Sequence, residues 1–145
     1  MLEKGEQRIL VLGAAGRSGH RLCQQALDAG YQVDVLIREP GKFKVSEQPC
    51  LRVIVGDLSE PSVFDEIFRI PYFAVLSTVG IFHKTPATPL ADLTATLIEH
   101  MNRAGVRRLV CMSSLGVSDS KGQGNLTVRF VARFVLKFVL RVVIP

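Results

Sequence analysis

Apolar residues recur along this chain in two patterns, short continuous runs and longer stretches with the spacing of a helix. The runs are five or six residues long and are typical of strands, and the first has the composition of a strand buried on both faces. They predict five strands, at Arg8–Leu12, Gln32–Ile37, Leu51–Val55, residues 72–76 and residues 107–112.

Stretches with helical spacing lie between these runs. They predict helices over residues 17–29, from Pro61 to about residue 69, and over residues 90–104. Gly30 and Gly105 stand where helices typically end, and Pro61 stands where a helix typically begins. The alternation of strand and helix predicts an α/β fold, a doubly wound parallel sheet of the Rossmann type with about five strands and helices on both faces.

A length of 145 residues and an apolar content of 48% suit one domain with a large core. We therefore expect a single domain over residues 1–145. The charged N-terminus lacks the apolar segment of a secretory signal. Three cysteines (Cys23, Cys50 and Cys111) fit neither a disulfide framework nor a zinc site, and the histidines lack the spacing of a metal pair. These features predict no metal and a reducing, cytoplasmic location.

Most of the net charge of +5 lies in one terminal segment. Residues 126–145 hold no acid and four cations at i, i+4 spacing: Arg129, Arg133, Lys137 and Arg141. The rest of the chain carries little net charge, so no nucleic-acid partner is expected. Residues 126–144 predict an apolar helix with one basic edge, which we expect to pack on the sheet. Docking on an anionic membrane surface is the less favoured alternative, and an uncovered apolar face would favour self-association.

The first predicted strand leads into a glycine-rich turn, Gly13-Ala14-Ala15-Gly16-Arg17-Ser18-Gly19. A turn that holds a pyrophosphate needs small residues, because its backbone must approach the ligand closely. It also needs the free N–H groups of a helix N-terminus to meet the negative charge. This turn, placed between a strand and a helix, therefore predicts a dinucleotide-binding loop. The alternative is a turn that only lets the helix and the strand pack together.

The residue after the second predicted strand indicates which dinucleotide binds. An acid here would bind a ribose 2′-hydroxyl, but the strand is followed by Arg38, and Asp34 lies too early to reach the ribose. A guanidinium suits a 2′-phosphate, and Arg17 in the glycine loop adds a second positive charge. These cations favour NADPH over NADH, although either arginine can also be read as a plain surface cation.

Two further segments follow strands and belong to the same edge of the sheet. Asp57, after the third strand, can accept a hydrogen bond from an adenine amino group, or it can cap the turn into the next helix. Residues 77–80, after the fourth strand, are small or flexible and would lie beside the pyrophosphate and the nicotinamide ribose. Both segments obey the rule that ligands bind outside the carboxyl ends of parallel strands.

Five motifs in order carry a resemblance to a known family: LGAAGRSG, VLIREPGK, VGDL, STVG and GVRRLVCMSSLGV. Over about residues 8–116 the chain resembles the atypical short-chain dehydrogenase/reductases. This NAD(P)H-binding group includes NmrA-like proteins and the flavin reductase/biliverdin reductase type. The resemblance implies an NADP-binding Rossmann fold.

The resemblance also implies a role for each motif. Main-chain groups of the first loop would hold the pyrophosphate: Gly13, Ala15, Gly16, Arg17 and Ser18. Arg38 would bind the 2′-phosphate, and Asp57 and Leu58 would meet the adenine. The ribose side would be formed by Thr78, Val79 and Gly80. Ser113, after the fifth strand, would lie near the nicotinamide and the substrate, as the candidate catalytic residue.

The chain departs from the wider superfamily in its acid/base chemistry. The usual Tyr-x-x-x-Lys pair is absent, because Tyr31 and Tyr72 are followed four positions later by Val35 and Leu76. A serine is a poor general acid unaided, so Ser113 would orient a substrate or only cap its turn. Related proteins generally continue beyond this length, and we expect the substrate-covering part to be missing from this chain.

Two functions from different classes remain open at this point. The first is an NADPH-dependent oxidoreductase that passes hydride to a small-molecule acceptor such as a flavin, a quinone or a similar conjugated compound. The second is a non-catalytic, NADP-sensing regulatory protein of the NmrA-like kind, which the missing Tyr-x-x-x-Lys pair favours. A third and weaker hypothesis is a membrane-associated assembly factor that uses residues 126–144.

Overall fold

A parallel sheet of five strands forms the centre of what the computed structural model describes, which is residues 4–45, 48–80 and 90–112. The spatial order is β3-β2-β1-β4-β5, with all neighbouring strands parallel. The strands are β1 Arg8–Leu12, β2 Gln32–Ile37, β3 Leu51–Val55, β4 Ala74–Ser77 and β5 Leu109–Cys111. This order confirms the predicted doubly wound Rossmann sheet.

Helices cover both faces of the sheet, as predicted. Alternate side chains of the central strand β1 point to opposite faces: Ile9 and Val11 to one core cluster, Leu10 and Leu12 to the other. Helix α1 (Arg17–Asp28) packs on the first face. Helices α2 (Pro61–Ile67) and α3 (Leu90–Arg103) pack on the second. Burial on both faces explains why residues 9–12 of β1 form an unbroken apolar run.

The glycines predicted to end α1 and α3 do so by the same motif. Gly30 and Gly105 have φ of 85° and 72°, a region that side chains disfavour. After α1 the backbone N–H of Gly30 donates to Leu27 at 2.9 Å, and that of Tyr31 donates to Ala26 at 3.1 Å. This Schellman pattern satisfies the last carbonyls of the helix. Neither these helices nor α2 is long and apolar enough to span a membrane.

The fourth and fifth strands differ from their predicted bounds. Strand β4 runs from Ala74 to Ser77 rather than over residues 72–76, and β5 keeps only three of the six predicted residues. Tyr72 lies outside β4, because the pairing of β4 with β1 begins at Ile9↔Ala74. The Tyr72 hydroxyl donates to Asp34 of β2 at 2.7 Å. Ser77 joins β4 because it pairs with Leu12 on one side and with Cys111 on the other.

A buried carboxylate connects four segments of the sheet at its amino end. Asp34 is fully buried and accepts hydrogen bonds from Arg8 Nη1 at 2.6 Å, Arg52 Nε at 3.0 Å and the Tyr72 hydroxyl at 2.7 Å. Burial and the bond to Asp34 raise the pKa of Tyr72, so its hydroxyl keeps the proton that it donates. This network lies at the opposite end of the strands from the glycine loop.

Among the described residues of the connection from β2 to β3 (38–45 and 48–50), the helical element is a 3₁₀ turn at Pro40–Lys42. Phe43 and Val45 from this connection pack against the core on the α1 side. Strand β3 forms one edge of the sheet, and its Val53 and Val55 are 43% and 61% exposed.

The described residues all belong to one compact unit. Two predictions fall outside them: the position of Ser113 and the helix over residues 126–144. The single domain over residues 1–145 stays a prediction for the same reason.

Candidate functional site

Four predicted site residues follow four adjacent strands at the carboxyl edge of the sheet. The pairings Leu12↔Leu36, Ile37↔Val55 and Leu12↔Ser77 bring these strand ends level with one another. Neighbouring strands lie about 4.8 Å apart, so the residues that follow them are neighbours in space. In spatial order along the edge these are Asp57, Arg38, Gly13 and Thr78.

The outer glycines of the loop are required by close packing. Gly13 has φ of 80°, and a Cβ there would lie 2.8 Å from Thr78 Oγ1 and 2.9 Å from the Thr78 carbonyl carbon. A Cβ on Gly19 would overlap the Gly13 carbonyl oxygen. The first contact lets β1 and β4 meet, and the second lets α1 approach β1. Packing therefore accounts for the need for glycine at these two positions, and the binding role of the loop stays a prediction.

Gly16 has a different surrounding from the other two glycines. Its φ is −77°, which any residue can adopt, and a Cβ would meet only the Gly13 carbonyl oxygen, at 3.3 Å. Gly16 is the N-cap of α1, and no side chain caps this helix. The first N–H groups of the helix, at Arg17, Ser18 and Gly19, have no carbonyl within the helix to bind. The space beside Gly16 and these N–H groups together fit a pyrophosphate.

Thr78 connects β4 to the glycine loop. Its backbone N–H donates to the Leu12 carbonyl at 2.9 Å. Its hydroxyl lies 3.1 Å from the Leu12 carbonyl and 3.2 Å from the Gly13 carbonyl, and it can donate to either one. The hydroxyl therefore positions the loop. Val79 packs partly against the core beneath α2 and α3, whereas Gly80 is exposed.

Arg38 and Asp57, the candidate 2′-phosphate and adenine residues, face each other. Arg38 Nη1 lies 3.9 Å from Asp57 Oδ2, with the side chains 72% and 40% exposed. The other oxygen, Asp57 Oδ1, accepts from the Ser59 backbone N–H at 2.9 Å and from Ser59 Oγ at 2.8 Å. These two bonds from Ser59 and the charge of Arg38 lower the pKa of Asp57. Leu58 packs partly against the core.

The sequence reasoning missed Ser59, although a signal for it was present. An Asp followed two positions later by Ser, directly after a strand, is typical of a turn in which the carboxylate accepts from the backbone. The backbone N–H of Glu60 closes the same turn by donating to the Asp57 carbonyl at 3.0 Å, just before α2. Asp57 therefore caps the turn that precedes α2 with one carboxylate oxygen, and its other oxygen lies beside Arg38.

A second ion pair lies next to Arg38. Lys42 Nζ is 2.8 Å from Glu39 Oε1, with both side chains exposed. The hydrogen bond and charge of Lys42, with a smaller effect of Arg38, lower the pKa of Glu39. Arg17, the second predicted cation, is exposed in the first turn of α1, as is Ser18. Ala15 is exposed in the loop before it.

Comparison with known proteins agrees with this geometry. A family model described as NAD(P)H-binding matches residues 13–138. An uncharacterized chloroplastic protein of Arabidopsis thaliana is 29% identical over 133 residues, covering 81% of this chain and 47% of that protein. The photosystem II assembly factor Ycf39 of Guillardia theta is 30% identical over 114 residues, covering 77% of this chain and 36% of that protein.

A solved structure extends the comparison to the fold. ChuY, an anaerobillin reductase from Escherichia coli O157:H7, is similar with a TM-score of 0.67 and 24% identity, over 88% of this chain and 61% of that one. At this identity the likeness shows a shared fold. The chain spans about half the length of the curated relatives or less. With its sheet order, its glycine loop and the family match, the chain belongs to the NAD(P)H-binding family and, within it, to the atypical short-chain dehydrogenase/reductases.

Proposed function

We propose that this chain binds NADPH and is the cofactor-binding part of an oxidoreductase. This enzyme would transfer hydride to a flavin, a quinone or a similar conjugated acceptor. The observation that carries the proposal is the uncapped N-terminus of α1 at Gly16, with Arg38 at the end of the adjacent strand β2. The helix N-terminus offers N–H groups to a pyrophosphate, and Arg38 offers a guanidinium to a 2′-phosphate.

The preference for NADPH over NADH is supported by where the carboxylates of this region lie. Asp34, inside β2, is buried in the network at the amino end of the sheet and cannot reach a ribose. Glu39, which follows Arg38, has its carboxylate paired with the Lys42 ammonium group. Arg38 itself is 72% exposed at the carboxyl edge, where a phosphate can reach it.

The acceptor class is supported by what the chain lacks in sequence. Neither tyrosine begins a Tyr-x-x-x-Lys pair, and Tyr72 is engaged with Asp34 at the far end of the sheet. When bound, NADPH would supply a hydride, and conjugated acceptors need little from the protein beyond placement for that step. The loop from Gly13 to Ser18 would bind the cofactor, and Ser113 would orient the acceptor. A cytoplasmic location remains part of the proposal, with a chloroplast as the alternative that the Arabidopsis relative raises.

Replacing Arg38 by glutamate tests the cofactor part of this proposal. We expect the Kd for NADPH to rise by about tenfold or more, which corresponds to about 1.4 kcal/mol, since a phosphate contact becomes a repulsion. The Kd for NADH, which lacks that phosphate, should change by less than about twofold. Titrations of the purified chain followed by nicotinamide fluorescence measure both constants.

Arg69→Glu, an exposed arginine after α2, is the matched control and should leave both constants unchanged. If the unaltered chain binds neither dinucleotide, the proposed function is wrong for this chain. Equal loss of NADPH and NADH affinity in Arg38→Glu would remove the role of Arg38 and leave only general dinucleotide binding.

A second candidate function is a regulatory or assembly protein that binds the dinucleotide without turnover. The observation in its favour is the similarity to a protein named as a photosystem II assembly factor. Incubation with NADPH and a panel of flavins and quinones separates the two functions, because oxidation of NADPH supports the enzyme and binding without oxidation supports the regulator. Sedimentation with anionic liposomes tests whether residues 126–144 contact a membrane surface.

A further inference from the structure

Two of the cations that follow β2, Arg38 and Lys42, lie beside carboxylates of the chain itself. Arg38 lies 3.9 Å from Asp57, and Lys42 lies 2.8 Å from Glu39. Arg38 and Lys42 thus each have a carboxylate of the chain beside them. A 2′-phosphate that approaches Arg38 must therefore share it with a carboxylate.

The hydrogen bonds that Asp57 accepts from Ser59 leave its other carboxylate oxygen directed at Arg38. Oδ1 accepts both bonds from Ser59, at 2.9 and 2.8 Å, so Oδ2 is the oxygen turned towards the guanidinium. The backbone N–H of Gly56 donates to the Ile37 carbonyl at 3.0 Å and keeps the ends of β2 and β3 together. A Cβ on Gly56 would lie 3.1 Å from Val63 Cγ2 of α2 and 3.3 Å from Leu36 Cδ1 of β2, so the segment after β3 is tightly packed against both elements. The lowered pKa of Asp57 keeps its carboxylate charged near neutral pH.

We propose that Asp57 is a specificity-determining residue that competes with the 2′-phosphate of NADPH for Arg38. NADH has no phosphate at this position, so its binding leaves the pair of Arg38 and Asp57 undisturbed. The competition lowers the affinity for NADPH alone and brings it closer to that for NADH. The chain then accepts both dinucleotides with a modest preference for NADPH, and Asp57 sets the size of that preference. This inference rests on the proposed function.

The Asp57→Asn variant tests the competition. Asparagine can still accept both bonds from Ser59, so the turn is retained while the charge is lost. We expect the ratio of the NADH Kd to the NADPH Kd to rise about two- to fivefold, the range open to an exposed ion pair. A contact of Asp57 with the adenine is common to both dinucleotides and cancels in this ratio. An unchanged or lower ratio would overturn the inference.

Two matched variants separate the charge of Asp57 from disturbance of its turn. Ser59→Ala removes one bond to Oδ1 but keeps the carboxylate, so the ratio should stay within about twofold of the original. Asp57→Ser, a second neutral variant, should reproduce the rise seen with asparagine. If Ser59→Ala shifts the ratio as far as Asp57→Asn does, the shape of the turn and not competition for Arg38 is responsible.

Whether Asp57 acts through Arg38 is tested by making Asp57→Asn in a chain that also carries Arg38→Ala. Competition predicts that Asp57→Asn then leaves the ratio unchanged, since there is no guanidinium to compete for. The same rise without Arg38 would show direct repulsion of the phosphate and overturn the inference. If the unaltered chain binds neither dinucleotide, the proposed function fails and this inference fails with it. If both dinucleotides bind and the ratio is insensitive to Asp57, the inference alone fails.

Discussion

Gly16 is the residue of the loop where binding and folding can be separated. Its backbone conformation suits alanine, and the nearest atom to an added methyl group is the Gly13 carbonyl oxygen at 3.3 Å. We expect Gly16→Ala to keep the fold but to occupy space that the pyrophosphate needs. Both NADPH and NADH should lose affinity by about tenfold, because both carry the pyrophosphate.

The measurement is the same pair of titrations, together with thermal unfolding of each variant. Gly41→Ala is the control, because an added methyl group at that exposed glycine meets nothing within 4 Å. Loss of affinity for only one of the dinucleotides would show that Gly16 does not face the pyrophosphate.

At the scale of single elements, the ends of α1 and α3 depend on glycine through backbone conformation alone. An added Cβ on Gly30 meets nothing within 4 Å, but its φ is 85°. We expect Gly30→Ala to lower the free energy of unfolding by about 1 kcal/mol, the cost of a left-handed conformation for a residue with a side chain. Urea unfolding measures this difference.

The control for Gly30→Ala is again Gly41→Ala, where the space is equally open and φ is not positive. That change should alter the stability by less than about 0.5 kcal/mol. Equal losses in the two variants would contradict the role assigned to the left-handed conformation of Gly30.

The elements that sequence predicts well are those with local signals. Strands β1, β2 and β3 have the predicted bounds, because each apolar run ends at a change of composition. Strand β4 is shifted, because its bounds depend on pairing with β1 and β5, which are distant in the chain, and no local pattern reports that pairing. A charged residue inside the apolar run of β2 was the available hint that Asp34 needs partners, but their identity depends on the fold.

The candidate site, like the fold, could be predicted from the sequence only in part. The sequence predicts which residues follow the strands, and the strand order then makes Arg38 and Asp57 neighbours. It does not predict that Ser59 fixes one carboxylate oxygen, or that Thr78 directs its hydroxyl to the loop. Those contacts depend on side-chain directions that only the packed sheet determines.

At the scale of the whole molecule, the network around Asp34 joins β1, β2, β3 and the segment before β4. We expect Asp34→Ala to lower the free energy of unfolding by about 3 kcal/mol, since two arginines lose their buried partner. This is the lower end of the range for a broken buried ion pair, because Arg8 and Arg52 are 31% and 48% exposed and can reach water. Urea unfolding monitored by circular dichroism measures the loss.

Asp28→Asn, an exposed aspartate that accepts a hydrogen bond from Gln24 on α1, is the control and should change the stability little. A similar small effect for Asp34→Ala would mean that the network adds no net stability. Dinucleotide affinity in folded Asp34→Ala protein should be unaltered, because the network and the glycine loop lie at opposite ends of the sheet.

The order of the strand ends sets the distance between the candidate site residues along the carboxyl edge of the sheet. Asp57, Arg38, Gly13 and Thr78 follow four consecutive strands, and three steps of about 4.8 Å make a span of about 14 Å. Thr78 joins β4 to the glycine loop, since its backbone N–H donates to the Leu12 carbonyl and its hydroxyl donates to either the Leu12 or the Gly13 carbonyl. NADPH bound as we propose would extend along this edge across the glycine loop, from Arg38 to the residues that follow β4. A ligand long enough to make both contacts would then be favoured over one that reaches only one side of the loop.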